Sequence, residues 1–134
     1  MIGWLRAVLT GILGGLCVAW LLTSTSGDLD GLVAFDVPRV LQIPGLILIG
    51  LLIGIAVPVI GEGAVAYATA LLVAATVHVM LYAVPGLNMA NYTNARFNNG
   101  FSTSLFVLMF GGIFLMIGHG AAIGLNVYAR GLYD

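Results

Sequence analysis

Apolar residues run almost unbroken over four long stretches of the chain, and polar residues gather between them. The stretches are Trp4 to Thr23, with only Arg6 near its start, Val40 to Ile60, Gly63 to Val84, and Thr103 to Tyr128. No charged residue falls between Val40 and Gly61, between Gly63 and Ala95, or between Phe97 and Ala129. About 20 apolar residues in a helix cross the hydrocarbon core of a bilayer. A charge at its centre costs about 2.5–3.5 kcal/mol. The pattern therefore predicts an all-α integral membrane protein with four transmembrane helices in a compact bundle. It forms one membrane domain over 1–134, with spans at about 4–23, 40–60, 63–84 and 103–128 and longer loops at 24–39 and 85–102. The first stretch is long for a signal peptide and lacks a small-x-small cleavage site, so it reads as a retained helix.

The breakers fit this division. Gly61-Glu62-Gly63 predicts a tight turn between spans two and three, with Pro58 kinking the end of span two. Pro38 suits a helix start, where its missing N–H does no harm. In the first loop Leu32-Val33-Ala34-Phe35 is apolar and is expected to dip into the interface. The second long loop, starting at Pro85, holds Asn88, Asn91, Asn94, Asn98 and Asn99 and predicts irregular structure.

Small residues recur at a spacing of four: Gly11 and Gly15 in span one, Gly50 and Gly54 in span two, Ala66, Ala70 and Ala74 in span three, Gly120 and Gly124 in span four. Residues four apart share a helix face. Helices in lipid associate through such strips because backbones can approach closely there. These nine residues are expected to pack helices together within the bundle or against another subunit.

Composition removes whole classes of function. Of 134 residues, 61% are hydrophobic and 7% charged, against about 25% charged in a soluble domain. Mean hydropathy is +1.14. A soluble globule and a disordered chain are both excluded. Four Arg and no Lys cannot neutralise a run of phosphates, so nucleic acid is excluded as a partner. Cys17 alone makes neither an internal disulfide nor a zinc site. Four spans place both termini on one side. Arg6 and Arg130 lie with the termini, Arg39 and Arg96 with the long loops, so the positive-inside rule ties. The sequon Asn91-Tyr92-Thr93 and the loop acids Asp28, Asp30 and Asp36 break the tie towards cytoplasmic termini.

Two intramembrane residues can carry acid–base or ligand chemistry, His78 and His119. His78 continues the Ala66–Ala70–Ala74 strip, and His119 shares a heptad stripe with Gly112 and Asn126. At 1.5 Å per residue the two lie roughly 15 Å apart along the bilayer normal, too far for both to hold one haem iron. Haem binding therefore needs a partner chain, and the chain alone implies no cofactor and no metal. The carboxylates Asp28, Asp30, Asp36, Glu62 and Asp134 fall at or beyond the interfaces. Glu62 suits the N-terminus of span three. No phosphate loop, metal motif or paired nucleophile is present, so the chain reads as no enzyme on its own.

His119-Gly120, Gly124 and Tyr128, with the Gly-rich first span and Asp36-Val37-Pro38-Arg39, resemble small four-span membrane proteins of halophilic archaea. Some of these are encoded near genes for haem–copper terminal oxidases. The resemblance implies a small accessory subunit of a respiratory complex, and the Asn-rich loop departs from it. The leading expectation is a non-catalytic accessory or structural subunit whose partners are other integral membrane subunits and lipid. Two alternatives stand beside it. One is an electron-transfer subunit using His78 or His119 at a haem or quinone with a partner chain. The other is a small homo-oligomeric channel or carrier lined by Thr69, Thr76 and Asn126. A structural protein of a membrane-containing virus fits the composition equally well.

Overall fold

The computed structural model describes residues 2–26, 38–87, 101–102, 104–105 and 107–131. These are almost wholly helical. Helix α1 is Ile2–Ser26, α2 is Gln42–Ala56, α3 is Ile60–Leu87 and α4 is Gly112–Gly131. A 3₁₀ turn, Arg39–Leu41, leads into α2 and is closed by Leu41 N–H to Pro38 C=O at 2.9 Å. A π-helical turn, Val107–Gly111, leads into α4. The apolar Leu32–Phe35 segment, the Asn-rich stretch 88–100 and the Asn91 sequon lie outside the described residues.

Three segments are long and apolar enough to cross a membrane: Ile2–Ser24, Ile60–Leu81 and Leu108–Ala129. Helix α2, with 15 residues, is equally apolar but shorter. Its length is set by Pro58. Proline has no N–H to donate and pushes the residue before it out of the α region. Val57 accordingly closes the helix at φ −129°, ψ 79°. The turn thus falls at Val57–Pro58–Val59, ahead of the glycines expected to form it, and Gly61 and Gly63 lie inside α3. At the far end α3 continues through Pro85 to Leu87, where the sequence pattern placed a loop. Proline's φ suits a helix, and it forfeits one hydrogen bond there. The fourth helical segment is under way by Phe101, ahead of the expected Thr103.

The helices pack as two pairs, α1 with α3 and α2 with α4, joined mainly where α1 meets α2. Directions follow from which residues meet. Gly11 sits against Ala66 and Thr69, and Gly15 against Ala70 and Val73, so α1 and α3 run parallel. Gly50 sits on Leu115, and Gly54 on His119 and Ala122, so α2 and α4 also run parallel. Gly14 meets Ile53 and Gly45 meets Leu21, so α1 and α2 are antiparallel. Close approach is required along both seams. A methyl group on Gly11 would come within 2.5 Å of the Ala66 carbonyl oxygen, and one on Gly15 within 2.6 Å of that of Ala70. Methyl groups on Gly50 and Gly118 would overlap the backbones of Leu115 and Ile47. Ala66, Ala70 and Ala74 are fully buried in the α1/α3 seam, beside Ala7 and Val18. Large apolar side chains such as Leu13, Trp20, Leu52, Leu72 and Ile113 point outward. Lipid accounts for such a surface and water does not.

Candidate functional site

The most elaborated junction is built around His119, where α2, α3 and α4 meet. On α4, Gly112, Leu115, His119 and Ala122 recur at three- and four-residue steps and are all buried, so they form the inward face. His119 is 8% exposed. Its ring covers Gly63 of α3, where a methyl group would come within 2.8 Å of Cε1 and Nε2. A methyl group on Gly54 of α2 would come within 3.1 Å of its Nδ1. Two glycines thus make room for one imidazole. Tyr67 of α3 stacks on the ring, with centroids 6.4 Å apart and planes at 29°. The Tyr67 hydroxyl donates to the Gly112 carbonyl at 2.9 Å, just past the π-turn. His119 Nδ1 and Asn126 Nδ2 are buried without a hydrogen-bond partner among the described residues.

His78 lies elsewhere. It is 1% exposed and continues the Ala66–Ala70–Ala74 face against α1. Extending the register that sets Gly15 beside Ala70 brings His78 to the level of Leu22 and Thr23. Buried Thr23 and Ser24 turn their hydroxyls back on Ala19 and Leu21 carbonyls, at 2.6 and 3.0 Å. Because His119 covers Gly63, the run of α3 from Gly63 to His78 separates the two histidines by roughly 22 Å along the helix axis. The structure does not bring them together. The separation exceeds the roughly 15 Å read from span depths, because α3 begins nearer to His119 than the four-span pattern implied.

The other candidate residues are also dispersed. Thr69 abuts Gly11 in the α1/α3 seam. Thr76 is exposed, and its hydroxyl donates to the Leu72 carbonyl at 2.8 Å. Asn126 lies two helical turns beyond His119. Thr69 and Thr76 lie seven residues apart on one stripe of α3, and Asn126 lies on α4. Gly120 and Gly124 face away from the bundle, with nothing within 4 Å of a methyl group built on either. Gly112 and Gly118, on the opposite side of α4, make its intrachain contacts instead. Glu62 lies in the first turn of α3, as helix-dipole reasoning suggests, and also pairs with Arg6 of α1 at 3.3 Å. Cys17 is exposed on α1.

Sequence reasoning passed over Tyr67 and Gly118, and gave Gly63 a place in a turn rather than beneath His119. Tyr67 had a usable signal. A phenol in an apolar span must find an acceptor, because lipid offers none. Among the described residues no three His, Cys, Asp or Glu side chains gather as a metal site would require. A groove of about 370 Å³ runs between α3 and the segment before α4, lined by apolar side chains with Thr76 and Ser104. No family model matches the chain, and neither a curated protein nor a solved structure resembles it closely enough to count as a relative.

Proposed function

We propose that the chain is a non-catalytic structural subunit that crosses the membrane four times and packs against other integral membrane proteins. The observation that carries this reading is where its side-chain hydrogen bonds go. Those of Thr23, Ser24, Tyr67 and Thr76 end on helix carbonyls, and Arg6 and Glu62 join α1 to α3. Of these, the Tyr67 hydroxyl and the Arg6–Glu62 pair tie one helix to another, and the Thr23, Ser24 and Thr76 hydroxyls close on their own helices. Gly120 and Gly124 add an open small-residue strip on α4, the kind of surface at which membrane helices meet.

Four crossings are supported by the α2/α4 seam. A helix packed parallel to the long apolar α4 shares its depth. The 15 residues of α2 supply about 22 Å, and the preceding 3₁₀ turn about 6 Å more, close to the ~30 Å core. Alternating directions then put both termini on one side, which the loop acids favour as cytoplasmic. A respiratory terminal oxidase is the complex to which the resemblance to small archaeal four-span proteins points. A haem on His119 draws no support from this geometry, because Nδ1 is buried and the Cε1–Nε2 edge lies over Gly63.

The test is extraction from the native membrane in mild detergent, followed by a native gel and an absorption spectrum of the band. Co-migration with larger membrane subunits is expected, with any haem bands persisting when this chain is removed. A lone small homo-oligomer would overturn the reading and bring the channel or carrier forward. A Soret band lost in His119→Ala would establish the electron-transfer alternative.

A further inference from the structure

The inward face of α4 carries a slip of one residue. The heptad stripe Asn126, His119, Gly112 extends backwards to Leu105, which a continuous helix would bury. Instead Ser104 is 3% exposed and Leu105 is 46% exposed. The π-turn Val107–Gly111 lies between the two registers. Such a turn holds one residue more than the α ladder, so Ser104 and Leu105 are turned by about 100° from the continuous-helix position. Ser104 thus occupies the place that Leu105 takes in an uninterrupted helix. The consequence reaches the groove, because Phe101, Ser104 and Leu105 form one wall against Thr76, Val79 and Met80 of α3.

The turn is flanked by features that suit a change of register. Gly111 and Gly112 follow one another at its end, and paired glycines bend most readily. One hydrogen bond from another helix falls at this point, from the Tyr67 hydroxyl to the Gly112 carbonyl at 2.9 Å. Tyr67 is itself stacked on His119, so the bond reports on the three-helix junction. We propose that the π-turn is a two-position joint latched by Tyr67. With the bond made, Ser104 is the buried residue of the groove wall and Leu105 the exposed one. With the bond released, the segment before the turn rotates into α register, Leu105 replaces Ser104, and the apolar groove is rebuilt. The joint makes the shape of a lipid-facing surface depend on contacts at His119, and it stands whether or not the structural-subunit reading does.

The experiment uses the full chain in lipid nanodiscs, with Cys17→Ala as background and a spin label at Ser104→Cys or Leu105→Cys. In the otherwise native chain the label at 104 should be immobile and shielded from oxygen, and the label at 105 accessible. Adding Tyr67→Phe should reverse that order. An unchanged order, with helicity retained, overturns the latch. Deleting Met109, a 68% exposed residue within the turn, should remove the inserted residue. The shortened chain should keep its melting temperature to within a few degrees, hold Ser104 inward, and ignore Tyr67→Phe. Deleting Ile113, beyond the turn, should abolish folding. Equal damage from the two deletions overturns the joint, as does a Met109-deleted chain in which Tyr67→Phe still reverses the order.

Discussion

The two helix pairs solve the same packing problem differently. In the α1/α3 seam the glycines lie on one helix only, with Gly11 and Gly15 facing alanines on the other, and an ion pair between Arg6 and Glu62 joins one end. In the α2/α4 seam the glycines are reciprocal. Gly50 meets the Leu115 backbone, and Gly118 meets the backbone of Ile47 and Leu51. No charged side chain joins the described parts of that seam, since α2 contains none. Van der Waals contact between backbones stands there in place of a polar tie. Both seams set glycine against backbone carbonyls, but the approach is closer in the α2/α4 seam, where methyl groups on Gly50 and Gly118 would overlap the Leu115 and Ile47 backbones outright.

The largest effect is therefore expected in the α2/α4 seam. Gly50→Ala or Gly118→Ala places a methyl group on a neighbouring backbone, which has no rotamer by which to move aside. Each should destabilise by more than about 3 kcal/mol, beyond the usual range for overpacking. Thermal unfolding in detergent should show loss of the cooperative transition. Gly15→Ala in the α1/α3 seam meets the Ala70 carbonyl oxygen at the wider distance of 2.6 Å and should fall within about 1–3 kcal/mol. Equal losses in the two seams would remove the distinction.

The contrast also marks what the sequence could disclose. Gly11, Gly15 and the Ala66–Ala70–Ala74 strip are legible as small residues four apart, and the spans are legible from the gaps between charges. Spacing identifies a face but not the direction in which it points. Gly120 and Gly124 have the same spacing as Gly50 and Gly54 and face outward. Gly118, which touches α2, stands four residues before Ala122, and the spacing Gly120–Gly124 beside it drew the reading to the wrong face. The His119 junction was half legible: His119 stood out as an intramembrane ionisable group, but Gly54 and Gly63 make room for it from two other helices. That depends on tertiary contact, which periodicity does not contain. The π-turn shows only when the burial of Ser104 is set against the stripe from Leu105 to Asn126.

A smaller effect is expected at the tie between α1 and α3. The Arg6 side chain is 51% exposed and that of Glu62 18%. Pairs of this kind contribute at most about 1 kcal/mol and weaken with salt. Arg6→Ala should lower the unfolding temperature by a few degrees at low ionic strength, and the difference should shrink at high ionic strength. A loss as large as that at Gly15, independent of salt, would mean that the ion pair rather than the glycine contact holds this seam.

The smallest effect on the isolated chain is expected at Gly120 and Gly124, and it separates packing within the chain from packing between chains. A methyl group added at either position meets nothing within 4 Å. Leucine is also a better helix former than glycine by up to about 1 kcal/mol. Gly120→Leu and Gly124→Leu should therefore leave the melting temperature in detergent unchanged or slightly raised, in contrast to Gly50→Ala. If the open strip is where another membrane subunit seats, the same substitutions should abolish co-isolation from the native membrane while the bundle stays folded. Intact co-isolation would move the docking surface off this face of α4. Destabilisation of the purified chain would show that the strip packs within it.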